Sequence, residues 1–116
     1  MIKYEIYTDT FEFRFGKDKS SIPDATAYDI WEWYTEESCQ CPEMVCSFDR
    51  REDAKAAFNK YYANYGETHA ENGNVSWLLR GRVAWLEVNN YDDNGEFDCG
   101  VDVIGLSAEP YTGKKD

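Results

Sequence analysis

Bases are missing from two long windows of this chain. Between Ser20 and Asp49 there is no lysine or arginine, and between Val83 and Gly113 there is none again. A surface built from such segments does not release counterions from a polyanion, so direct binding to DNA or RNA is excluded as an expectation. Long apolar runs are also missing. Nothing approaches the roughly 18 residues of a membrane span, and the opening MIKYEIYTDT has no leader-like apolar core. Histidine occurs once, as His69. No phosphate-binding glycine loop, no GxSxG and no HExxH occurs either. Acid pairs exist for a two-carboxylate hydrolase, but no residues fill the roles of nucleophile, base and oxyanion stabiliser, so an enzyme is not expected. The four cysteines are too few and too unevenly spaced for a secreted disulfide scaffold. Reduced thiols in a cytoplasmic protein are the expectation.

What is present is a chain that can fold. Its 116 residues are 42% hydrophobic and 16% aromatic, enough for one domain, 1–116, with a core of its own. The formal charge is −11, and its placement matters more than its size. The first window holds Asp24, Asp29, Glu32, Glu36, Glu37, Glu43 and Asp49; the second holds Glu87, Asp92, Asp93, Glu96, Asp98, Asp102 and Glu109. Together they carry −14, which leaves the rest of the chain at +3. A one-signed field of this kind attracts basic partners and repels anionic membranes. Plain solubility is the competing explanation.

The apolar patterning predicts an α+β fold: an antiparallel sheet of about five strands packed by two helices. Ile2, Tyr4 and Ile6 alternate, as do Phe11, Phe13 and Phe15. A turn at Thr8-Asp9 would bring all six onto one face of an N-terminal hairpin. GKDKSS then reads as a loop. Ser21 and Asp24, with Pro23 in the first turn, resemble a capping box for a helix whose core stripe is Ala27, Ile30, Trp31 and Tyr34. Asp29, Glu32 and Glu36 fall on the opposite face, with Trp33 and Glu37 beside them. Trp33, outside the stripe, either packs under a loop or anchors a partner. EMVCSF predicts a strand. Asp49 and Glu52 predict a cap for a second helix with a stripe of Ala54, Ala57, Phe58, Tyr61 and Tyr65 and with Gly66 past its end. ETHAENGN reads as a polar loop.

The C-terminal half predicts a second hairpin around NNYDDNGEFDCGVDV. Loops of two or four residues both place Ala84, Leu86, Val88, Phe97, Cys99, Val101 and Val103 on one face, whereas a three-residue loop would split them. The two-residue register sets Glu87 opposite Asp102 and Asp93 opposite Glu96, a like-charge pairing that destabilises a sheet unless something compensates. The alternating oxygens of Asp92, Asn94, Glu96 and Asp98 do not make an EF-hand, since glycine is fourth and Val103 stands where the bidentate glutamate belongs. Cys39, Cys41 and Cys46 do not space as zinc ligands, and Cys46 and Cys99 read as small core residues. No metal or cofactor is expected. Carboxylates two apart on a strand lie about 6.6 Å apart, near the spacing of successive phosphates.

The windows ATAYDIWEWYTEESCQCPE and LEVNNYDDNGEFDCGVDV resemble, in character, the small acidic phage or mobile-element inhibitors of the DNA-mimic and anti-CRISPR type. The five arginines and the GKKD tail depart from the purest mimics. The resemblance implies a non-catalytic inhibitor whose acids stand in for phosphates on a basic, nucleic-acid-binding effector. The partner-binding candidates are Asp29, Glu32, Trp33, Glu36, Glu37, Glu87, Asp92, Asp93, Glu96, Asp98 and Asp102. Alternatives are an immunity protein for a basic nuclease toxin, or a small metal-binding or catalytic domain.

Overall fold

Two long stretches far apart in the chain, 2–16 and 76–91, pair along their length and set the architecture. The computed structural model describes residues 1–16, 26–37, 40–72 and 76–109. In chain order the elements are β1 (Ile2–Gly16), α1 (Ala27–Glu37), β2 (Glu43–Phe48), α2 (Arg51–Tyr61), β3 (Glu67–Asn72), β4 (Ser76–Tyr91) and β5 (Phe97–Ser107). The strands are antiparallel and lie in the order β2-β1-β4-β3, with β5 also on β4. This is the α+β class that the patterning predicts, an antiparallel sheet with two helices.

The N-terminal hairpin does not form. Residues 2–16 are one strand, laddered to β4 without interruption from Ile2↔Asn90 to Gly16↔Ser76. Thr8 and Asp9 lack the glycine or asparagine a tight turn requires, and β4 offers a complete ladder instead. One consequence is geometric. In a continuous strand, Ile6 and Phe11 point to opposite sides. Ile6 therefore joins Ala54, Phe58, Ala84 and Leu86 in a core beneath α2. Phe11, Phe13 and Phe15 join Ile30, Trp33, Tyr34, Leu79, Val83 and Trp85 in a second core beneath α1. The helices thus cover opposite faces at opposite ends of one sheet.

Several local expectations change with this arrangement. Ser21 and Asp24 lie outside the described residues, and α1 is capped by Thr26. Its Oγ1 accepts from Asp29 N (3.2 Å), while its own N–H donates to Asp29 Oδ2 (2.9 Å). That is a reciprocal capping box five residues later than the sequence suggests. Trp33 is buried, 9% exposed, with its ring 4.9 Å from Phe15 and 6.3 Å from Phe13. A helix laid across a strand of phenylalanines buries a wider arc than a four-residue stripe, and Tyr28 is the exposed aromatic of α1. Asp49 pairs with Lys3 at 2.7 Å and does not cap α2, whose cap residue Arg50 makes no side-chain capping hydrogen bond. Tyr61 is exposed. Gly66 lies beyond the helix end, where its N–H donates to Ser107 Oγ at 2.8 Å. ETHAEN is β3, paired from Glu67↔Arg82 to Asn72↔Trp77. Gly81 permits that pairing, because a Cβ there would sit 1.9 Å from the Glu67 carbonyl oxygen.

The C-terminal hairpin forms with the three-residue loop. Asp92 N–H donates to the Glu96 carbonyl at 2.9 Å, Gly95 N–H to the Asp92 carbonyl at 3.0 Å, and Gly95 has φ of 82°. This is a turn closed by a left-handed glycine. The apolar sets are then brought out of register, and β5 responds by slipping. Its pairing shifts between Leu86 and Glu87, between Val88 and Asn89, and between Asn90 and Tyr91. Asp98, Val101 and Ile104 are the residues left without a partner. A bulge every third residue sharpens the twist. It also breaks the alternation: Phe97, Cys99, Val101 and Val103 are exposed, while the buried Ala84, Leu86 and Val88 face Ser107, Gly105 and Asp102 instead.

Candidate functional site

The sheet divides into four quadrants. Two are the cores under α1 and α2. A third, the surface behind the α1 core, carries Arg80 and Arg82, which face Glu12 and Thr10 on β1 and His69 and Glu67 on β3. Its charges are matched: Arg82 pairs with Glu67 at 3.1 Å and Arg80 with Glu71 at 3.3 Å, and His69 meets Glu67 as well. The fourth, behind the α2 core, has no helix over it among the described elements.

In this fourth quadrant Glu5 on β1 lies directly opposite Glu87 on β4. Like charges in facing positions repel, and Glu5 is only 3% exposed. The compensation comes entirely from neutral donors. Asn89 Nδ2 donates to Glu5 Oε1 and to Glu87 Oε2, each at 2.8 Å. Tyr91 OH donates to Glu5 Oε1 at 2.6 Å, and Trp85 Nε1 to Glu87 Oε1 at 2.6 Å. Tyr7 OH and Ser47 Oγ reach the Glu5 carboxylate at 3.4 Å. The proximity marks the phenols. Burial, then the charge of Glu5, raises Tyr7 well above its ordinary value, and the hydrogen bond to Glu5, then burial, pushes Tyr91 up to about 12. No lysine or arginine pairs with either carboxylate among the described residues.

Glu87 is thus a candidate whose like-charge partner is Glu5, and its neighbour on β5 is Val103, where Asp102 was expected. Sequence reasoning missed Glu5. The available signal was the acid in the middle of IKYEIY, which a hairpin at Thr8-Asp9 would turn toward solvent.

The other candidates sort by element. Asp92 organises the turn, its Oδ1 accepting from Asn94 N and Glu96 N at 2.9 Å each. Asp93, Glu96, Asp98 and Asp102 are exposed, Asp98 accepting from Asn90 Nδ2 at 3.2 Å. Asp102 pairs with Val88. None of these five is in an ion pair among the described residues. On α1, Asp29 is held in the cap, Glu32 is half-buried and Glu36 exposed, and the side chain of Glu37 lies outside the described residues. Trp33 is in the core and offers a partner nothing.

The acids of α1 and those of the hairpin tip do not converge. Tyr34 of α1 donates to Asp9 at 2.5 Å and Trp33 packs on Phe15, so α1 lies over Asp9–Phe15. The hairpin tip lies beyond Ile2, at the other end of β1. Seven strand residues at about 3.3 Å each separate Asp9 from Ile2, roughly 23 Å. No helix among the described residues is long and apolar enough to cross a membrane. No family model, curated protein or solved structure matches the chain.

Proposed function

We propose that the chain is a non-catalytic protein that binds a basic surface on a protein partner through the β4–β5 hairpin. In its sharpest form it is an inhibitor of a nucleic-acid-binding effector, with hairpin acids standing in for phosphates, as the anti-CRISPR-like character of the sequence implies. One observation carries the reading. Asp92, Asp93, Glu96, Asp98 and Asp102 crowd one hairpin, and no cation among the described residues answers them. Such a field steers basic partners and speeds their association. Because the acids of α1 lie at the other end of the sheet, the reading rests on the hairpin alone and not on a mimic surface spanning both windows.

The deciding experiment is capture of purified nucleic-acid-processing effectors on the immobilised protein, compared with a variant carrying Glu96→Lys, Asp98→Lys and Asp102→Lys. Binding by the wild type and loss in a folded triple variant support the proposal. Equal capture by both removes the hairpin from consideration. Capture of a nuclease toxin would favour the immunity-protein alternative.

A further inference from the structure

We infer that the uncovered quadrant of the sheet, floored by Glu5, Glu87 and Asn89, receives an arginine side chain from a basic, apolar-flanked segment of the partner. This rests on the proposed function and names a seat on the fold distinct from the hairpin tip.

The first ground is what the quadrant lacks. Two carboxylates in facing positions, one of them 3% exposed, are met only by neutral donors. Beside them Asn89, 1% exposed, gives both its amide bonds to the carboxylates, and its Oδ1 has no hydrogen-bond partner. Buried acceptors are ordinarily satisfied. An orphan acceptor beside two acids without a cation calls for a donor that is also positively charged. Gly100 faces Asn89, and a Cβ there would stand 3.5 Å from that orphan oxygen, so β5 places no side chain against it.

The second ground is what surrounds the floor. The three-residue rhythm of the β5 bulges brings Phe97, Val103 and Leu106 opposite Tyr91, Glu87 and Trp85, on the same face. They are 58%, 42% and 38% exposed. A row of large apolar side chains left in solvent beside unanswered acids is the composition of an interface core. Charge complementarity selects the occupant. A second copy of this chain would bring acids to acids. A calcium ion requires six or more oxygens. A guanidinium carries a planar fork of donors for Glu87 and the Asn89 oxygen, and stacks on a partly exposed ring such as Tyr91.

The test titrates ¹⁵N-labelled protein with the blocked peptide Leu-Arg-Leu-Arg-Leu at 0.15 M salt, following the Trp85 indole and Asn89 side-chain amide resonances. Saturable shifts of both are expected, at least tenfold weaker with citrulline in place of arginine. The same tenfold loss is expected in Glu87→Gln, which preserves an acceptor for Trp85, and in Val103→Ser. The hairpin triple variant should lose less than Glu87→Gln, since none of its three acids belongs to the floor: Asp102 pairs with Val88, and Asp98 has no register partner on β4. If the triple variant abolishes binding while Glu87→Gln does not, the seat is at the tip; this inference then fails while the proposed function stands. A peptide that shifts neither resonance also overturns it, whatever the capture experiment shows.

Discussion

Asn89 holds two facing acids with one amide nitrogen, and its removal would leave Glu5 and Glu87 opposed with nothing between them. Hydrogen bonds to charged groups contribute about 1.5–3 kcal/mol. Asn89→Ala should therefore lower unfolding stability by about 2 kcal/mol in a urea titration, and a change under about 0.5 kcal/mol would show that the bridge carries little. Tyr91 supplies a pH signature of the same cluster. Its phenol, pushed up to about 12 by its hydrogen bond to Glu5 and by burial, ionises near 10 in the unfolded chain. The native state holds that proton more tightly, so the stabilisation is complete below pH 10 and is lost as pH rises from 10 to 12. Melting temperatures of wild type should fall across that window more steeply than those of Tyr91→Phe. Parallel curves would contradict the assignment. None of these couplings was visible in the sequence, because Glu5 and Asn89 stand 84 residues apart and meet only through the β1–β4 register.

Among the elements, α1, β2 and α2 were legible because their patterns are local: a 3.6-residue apolar period, a short run of strand formers, a helix with Ala54 and Phe58 inward. What misled lay at turns. Thr8-Asp9 invited a hairpin because it placed six apolar residues on one face, an economy that holds only if a sheet has one core. Here Ile6 and Phe13 serve two cores on opposite faces. Likewise the rule that a three-residue loop would split the apolar sets of the last hairpin was sound. The structure accepts the split and leaves Phe97 and Val101 in solvent. Gly95 fixes that loop. A side chain at its φ of 82° costs about 1–2 kcal/mol, although nothing stands within 4 Å to clash with it. Gly95→Ala should lower the midpoint of thermal unfolding accordingly without altering partner affinity by more than twofold, as measured by calorimetry. A neutral substitution would place the loop in another turn type.

For the molecule as a whole, the −11 charge makes two predictions at once. No duplex or single strand should shift in a gel at micromolar protein and low salt, since a polyanion gains no counterion release from an acidic surface. Affinity for the basic partner, by contrast, should fall steadily as salt rises through about 0.15 M, where the Debye length is near 8 Å. A salt-independent affinity would move the energy of binding from charge to the apolar row of β5. The β1–β4 ladder has a further consequence, in time rather than in space. Its register joins Gly16 to Ser76 and Ile2 to Asn90, so β1 leaves the ribosome well before the strand it pairs with and must wait for it. At roughly 5–20 residues per second, that wait is about 3 to 18 s. During it Phe11, Phe13 and Phe15 have no ladder, and the α1 core they enter still lacks Leu79, Val83 and Trp85. Chains stalled near residue 70 should be cut rapidly by protease within β1, and chains released past Tyr91 should not.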